Sequence, residues 1–81
     1  MQELDKAFGS AVRNRRLELG LSQEELGHIA NIHRTYISQI ERGIKSPSLK
    51  VIALLSQALE LKLHELVYRA ELQLGEQPED E

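Results

Sequence analysis

The amino-acid sequence predicts a compact all-α domain of five helices, on three observations. Apolar residues recur three and four apart in five segments, the spacing of a helix with one inward stripe, and no segment alternates as a strand would. Short punctuators separate the segments: Gly20, Asn31, Gly43 and Pro47 fall where the apolar patterns stop. The second and third patterns, between Leu21 and Arg42, are joined by too few residues for an ordinary loop.

The first helix is expected over Leu4 to Leu19, with Phe8, Val12 and Leu19 on its inward stripe and Ala11 and Leu17 near it. Arg13, Arg15 and Arg16 crowd its second half, where cations complement the negative helix end. For Arg13 and Arg15 that role and solubility suffice. Gly20 supplies the C-terminal cap. The second helix opens on a capping box, Ser22-Gln23-Glu24-Glu25, with Leu21 and Leu26 placed for a hydrophobic staple. Leu26, Ile29 and Ala30 form its inward stripe. Gly27, at a cost of about 1 kcal/mol against Ala in mid-helix, implies that another helix crosses close by.

Asn31 tolerates the left-handed conformation that ends a helix, and after the turn Asn31-Ile32-His33 a third pattern begins at once. Ile37, Ile40 and Glu41 mark its inner face. The loop Ile44 to Ser48 follows Gly43, and Ser48 caps a fourth helix running to Leu59, with Leu49, Ile52, Leu55 and Leu59 inward. A fifth helix is expected over Leu61 to Leu74, with Leu63, Leu66, Val67, Ala70 and Leu74 on one seam and no evident N-cap. Residues 1–75 thus read as one domain, and Glu76 to Glu81 as an acidic disordered tail.

Eighty-one residues hold one small core. There is no cysteine to staple it or bind metal. The N-terminus carries Glu3 and Asp5 and lacks the apolar run of a signal peptide. No stretch approaches the roughly 18 apolar residues of a membrane span, so a cytoplasmic protein with no membrane partner is expected. The net charge of −3 conceals an asymmetry. Residues 1–50 hold eight Lys/Arg against six Asp/Glu, net +2; residues 51–81 hold two against seven, net −5. Binding to a polyanion depends on local charge, so the total does not exclude nucleic acid.

The outer face of the third helix carries Arg34, Thr35, Ser38, Gln39 and Arg42, which pair at i, i+4 and include no carboxylate. A solvated face would mix Glu with Lys. Two helices, a tight turn and a polar, acid-free second helix describe a helix-turn-helix over about residues 22–42. Chemistry of other kinds finds no support. His28, His33 and His64 lack metal-ligand spacing, so no metal is expected. No His-Asp pair accompanies a serine, and no phosphate-binding loop or cofactor motif occurs. Neither an enzyme nor a cofactor is expected.

These residues resemble the lambda-repressor/Cro-like (XRE) family of helix-turn-helix domains. Leu21-Ser22-Gln23, Leu26, Gly27, Ile37 and Ile40-Glu41-Arg42-Gly43 fall where the family pattern puts them, and the resemblance spans roughly Phe8 to Leu66. The run His33-Arg34-Thr35-Tyr36-Ile37-Ser38 is similar to the controller proteins of restriction–modification systems. The resemblance implies a lambda-repressor-like DNA-binding domain acting as a homodimer on a pseudo-palindromic operator of double-stranded DNA, with RNA polymerase as a candidate second partner. A phage-type or antitoxin-type repressor, and a protein-interaction adaptor on the same fold, are the alternatives.

The resemblance also assigns roles. Arg34, Thr35 and Gln39 match base-reading positions, suited to guanine O6/N7, a thymine methyl and adenine N6/N7 respectively; the shorter Ser38 joins them. Gln23 matches the position that clamps a phosphate, with Ser22 assisting beside the helix N-terminus. His33, Tyr36, Arg42 and Lys45 flank the recognition helix and reach for the backbone, with packing an equal alternative for Tyr36 and the His33 contact stronger when protonated. Arg16 and Glu41 match a largely buried structural ion pair. The last helix, about residues 61–74, matches the dimer contact, and its seam offers more apolar surface than so small a core needs; Leu63, Leu66, Val67 and Ala70 are its expected interface.

Overall fold

The computed structural model describes residues 2–75. The expected tail, 76–81, lies outside them. Five helices follow one another: α1 (Gln2–Glu18), α2 (Gln23–Ala30), α3 (Arg34–Glu41), α4 (Leu49–Ala58) and α5 (Leu63–Gly75). Helix α1 packs along α5 and against α3; α2 touches α3 and α4, and α4 closes on α5. Phe8, Val12, Leu26, Ile37, Ile40, Leu55, Leu59 and Leu66 meet in one core. Burying a side chain of this size contributes about 1.5–3 kcal/mol before the cost of ordering the chain.

The helix ends explain the short connections. At α1 the Leu21 N–H donates to the Arg16 carbonyl and the Gly20 N–H to that of Leu17, both at 3.0 Å, around Gly20 at φ 72°. The same six-to-one and five-to-two pattern closes α3 at Gly43 and α4 at Glu60. Glu60 adopts φ 60° without being glycine, a conformation that an L side chain resists. Asn31, also at φ 60°, ends α2. Ser22 and Glu25 make both halves of the capping box, at 3.0 and 2.8 Å.

Several expectations need correction. Helix α5 starts at Leu63, because Leu61 still belongs to the end of α4, donating its N–H to the Ser56 carbonyl. Its cap is a carboxylate reaching backwards: the Lys62 N–H donates to Glu65 Oε1 at 2.7 Å. Leu17, Ile29 and Leu49 are exposed, not inward. Arg16 takes the inward place on α1 that Leu17 misses by one residue, and Leu26, Gly27 and Ala30 define an α2 stripe about 110° away from Ile29 at ~100° per residue. Leu49 stands on the first turn of α4, before the core begins. Arg15, read as a surface cation, donates from Nε to the Leu59 carbonyl at 2.9 Å, tying α1 to the end of α4.

Two close approaches set the helix-turn-helix on its support. A Cβ at Gly27 would collide with the Ile32 carbonyl and lie 3.4 Å from the Arg34 nitrogen, so the turn folds directly over α2. Gly9 has the same role on α1: a Cβ there would collide with the Ile40 carbonyl and sit 2.7 Å from that of Glu41. The absence of side-chain atoms at Gly9 lets the C-terminal end of α3 rest on α1.

Candidate nucleic-acid interface

The site is built on α3, whose inner residues Ile37 and Ile40 are fully buried. Anchoring by these two fixes the helix rotation, which turns Arg34 and Thr35 to the exterior and leaves Ser38 and Gln39 half-buried beside them. The four therefore occupy one continuous face. Arg42, exposed at the end of α3, folds back so that its Nε approaches the Ser38 carbonyl at 3.4 Å. Lys45 is exposed in the following loop, and Tyr36 is half-buried, its ring packed on the core cluster.

His33 is the N-cap of α3. Its Nδ1 accepts the Thr35 N–H at 3.0 Å, which places the ring proton on Nε2. The neutral ring already offers an N–H donor on its outer side.

Beneath α3, Arg16 and Glu41 form a bidentate pair, Nε to Oε2 at 2.7 Å and Nη2 to Oε1 at 3.0 Å. The two side chains are only 9% and 3% exposed. Arg16 Nη1 also donates to the Leu21 carbonyl at 2.8 Å, binding the loop before α2 to the same centre. The hydrogen bond to Glu41 raises the Arg16 pKa above its ordinary value, against the opposing effect of burial. Gln23 joins the network, its Nε2 donating to Glu41 Oε1 at 3.1 Å. An amide nitrogen carries two hydrogens, so one remains for a phosphate while the other holds the side chain in place. Ser22 accepts the Glu25 N–H through Oγ, which leaves its hydroxyl hydrogen as the group that can face an anion.

Sequence reasoning missed one charge. Glu24, the second residue of α2, brings its Oε1 to 3.6 Å from Arg34 Nη1, too long for a hydrogen bond but close for an ion pair. The recognition face thus borders a carboxylate contributed by its neighbour. The signal was present in the short, fixed distance between the start of α2 and the start of α3.

On α5, Leu66 and Ala70 are 0% and 2% exposed within the single subunit. Both belong to the subunit core and have no surface to give a partner, which corrects half of the expected interface. Leu63 and Val67, about 40% exposed, remain on an outward flank one turn apart, with half-buried Leu74 on the same stripe. Among the described residues no group of three or more His, Cys, Asp or Glu could hold a metal ion, and no helix is long and apolar enough to cross a membrane.

Comparison with known proteins agrees with this geometry. A helix-turn-helix family model (HTH_3) matches residues 12–66. Control protein C.BamHI of Bacillus amyloliquefaciens is 44% identical over 61 residues, covering 74% of this chain and 75% of the relative. Control protein C.SmaI of Serratia marcescens is 33% identical over 67 residues, covering 83% and 80%. Among solved structures, the restriction–modification controller protein C.AhdI of Aeromonas hydrophila superposes with a TM-score of 0.75 at 37% identity, over 76% of this chain and 94% of that one. The clp gene regulator ClgR of Corynebacterium glutamicum gives 0.84 at 28% identity, over 89% and 77%. With five helices in the same arrangement and the family pattern running from α1 into α5, the chain belongs to the XRE-type helix-turn-helix family of transcriptional regulators.

Proposed function

We propose that the chain is a homodimeric, sequence-specific DNA-binding regulator that places α3 in the major groove of each half of a pseudo-palindromic operator, and that it serves as a restriction–modification control protein. The observation that carries this reading is the anchored face of α3. Arg34 and Thr35 are exposed at its N-terminal end, with Ser38 and Gln39 one turn on. Arg34 supplies the planar fork that pairs with guanine, and Gln39 the amide that pairs with adenine. Gln23, Ser22 and the Nε2–H of His33 present donors along the bordering edge, where Arg42 and Lys45 add charge for phosphates. The similarity to C.BamHI and C.SmaI supports the control-protein assignment.

The mechanism is occupancy. Bound at an operator, the dimer blocks RNA polymerase or contacts it, and no reaction is catalysed. Two half-sites one helical turn apart, about 34–36 Å, require the subunits to hold their recognition helices at that spacing. The outward flank of α5, exposed Leu63 and Val67 with half-buried Leu74, is the proposed two-fold contact, met by its own copy across the axis. Similarity to the ImmF control region 10 kDa protein of Bacillus phage phi105, 33% identical over 61 residues, favours a phage-type repressor as the second reading.

The test is a series of single base-pair changes in a duplex selected from a randomised pool by the protein. Arg34→Ala costs about 1–3 kcal/mol on the selected duplex and relaxes discrimination at one position per half-site. Equal losses on selected and scrambled DNA remove Arg34 from base reading.

A further inference from the structure

We propose that Glu24 is a specificity-determining residue: by holding the guanidinium of Arg34 at its Nη1 corner it withholds that cation from phosphates and leaves its other edge for a base. The inference rests on the DNA-binding reading above. Glu24 and Arg34 come from different helices, and their side chains are 72% and 63% exposed. An exposed pair of this length contributes little to folding; the first-turn place of Glu24 on α2 explains a carboxylate through the helix dipole, but not its approach to Arg34. The place is in fact costly for DNA binding. Glu24 immediately follows Gln23, the proposed phosphate clamp, and borders the groove formed with Gly27, His28, Asn31 and His33. A carboxylate there repels the phosphates that Gln23 and the N-terminus of α2 attract.

The geometry shows what the carboxylate gives in return. The carboxylate approaches Nη1 at 3.6 Å, and among the described residues no hydrogen bond engages Nε or Nη2. A guanidinium has five N–H donors in a fixed plane, so the edge formed by Nε and Nη2 stays open for the two acceptors of a guanine. Arg34 can read a base without leaving Glu24. To neutralise a phosphate, in contrast, the guanidinium must give up Glu24 or draw that carboxylate towards the DNA backbone. Non-specific complexes depend almost wholly on such phosphate contacts. Glu24 therefore penalises the non-specific mode more than the specific one.

The experiment compares Glu24→Gln with Glu25→Gln, each titrated against the selected duplex and a scrambled duplex of equal composition. Glu25→Gln removes the same charge one residue away, and glutamine keeps the capping box with Ser22. Glu25→Gln should tighten both duplexes by a similar factor. Glu24→Gln should tighten the scrambled duplex more, lowering the selected-to-scrambled ratio roughly two- to fivefold, the range an exposed ion pair spans. In an Arg34→Ala background the change in ratio should disappear. A ratio unchanged by Glu24→Gln, or changed equally by Glu25→Gln, or still changed without Arg34, overturns the inference while leaving the DNA-binding reading intact. A parent protein that does not discriminate between the two duplexes overturns both.

Discussion

Replacing Glu41 with glutamine tests the part of the molecule on which the recognition helix rests. Glu41 accepts three hydrogen bonds, two from Arg16 and one from Gln23. Glu41→Gln keeps the shape, removes the charge and turns one acceptor into a donor aimed at a guanidinium. Arg16 retains one uncharged amide oxygen and the Leu21 carbonyl as partners but loses its counter-charge, with its side chain 9% exposed. Removing one member of such a buried pair costs about 3–5 kcal/mol. A domain of this size has a total stability of about 4–12 kcal/mol, at roughly 0.05–0.15 kcal/mol per residue, so the variant loses a large share of it. At about 4–8 °C per kcal/mol, the melting temperature should fall by at least about 12 °C. Thermal and urea unfolding followed by circular dichroism, at one fixed protein concentration because dimerisation adds stability, measures this. The double change Arg16→Met with Glu41→Leu should recover much of the loss. A Glu41→Gln loss below about 1 kcal/mol, within the range of ordinary substitutions, or a cycle additive within about 0.5 kcal/mol, would refute the reasoning.

Three further outcomes follow from particular residues. Val67→Asp should leave the monomer folded but shift sedimentation towards it and weaken operator binding, whereas Leu66→Asp should unfold the chain, because Val67 is 42% exposed and Leu66 not at all; a full-strength Val67→Asp dimer places the contact elsewhere. Glu60→Gly should raise stability by about 1 kcal/mol in urea unfolding, since glycine adopts φ 60° without strain; a lower midpoint would mean that the Glu60 side chain makes a compensating contact. The Glu65 carboxylate is held below its ordinary pKa by the Lys62 N–H, and that of Glu18 by Arg15 and then Arg69. Depressed folded-state pKa values mean stability fully present above the unfolded carboxylate range and lost as pH falls through the folded values. Acid titration of stability should therefore flatten in Glu65→Gln and Glu18→Gln, and unchanged profiles would show that neither bond persists in solution.

The helices and the recognition face could be read from residues because both depend on short-range pattern. Ser22 with Glu25, and Gly20, Asn31 and Gly43, specify ends by local backbone geometry, and Ile37 and Ile40 set the rotation of α3 by spacing alone. What escaped depends on neighbours distant in the chain. Gly9 matters only because the α3 carbonyls of Ile40 and Glu41 arrive on it. Arg15 meets the Leu59 carbonyl 44 residues away. The amphipathic pattern of α5 marked Leu63, Leu66, Val67 and Ala70 alike, since periodicity identifies an apolar stripe but not whether its own core or another subunit covers each residue. Leu17 and Ile29 show the same limit: an apolar residue one position off the stripe is exposed, and Arg16 is buried because Glu41 meets it. Glu24 escaped because the α3 face was read as one helix, when its border belongs to two.

The most direct measurement is the affinity of the full chain for the selected duplex against the scrambled one, at the same fixed salt concentration. Anchored base-reading residues on two linked recognition helices should give at least a thousandfold preference, the lower end of what specific DNA-binding proteins reach, with about two subunits bound per duplex. Equal affinity for the two duplexes, falling in parallel as salt rises, would mean that α3 meets only phosphates and that the face built by Arg34, Thr35, Ser38 and Gln39 does not read sequence.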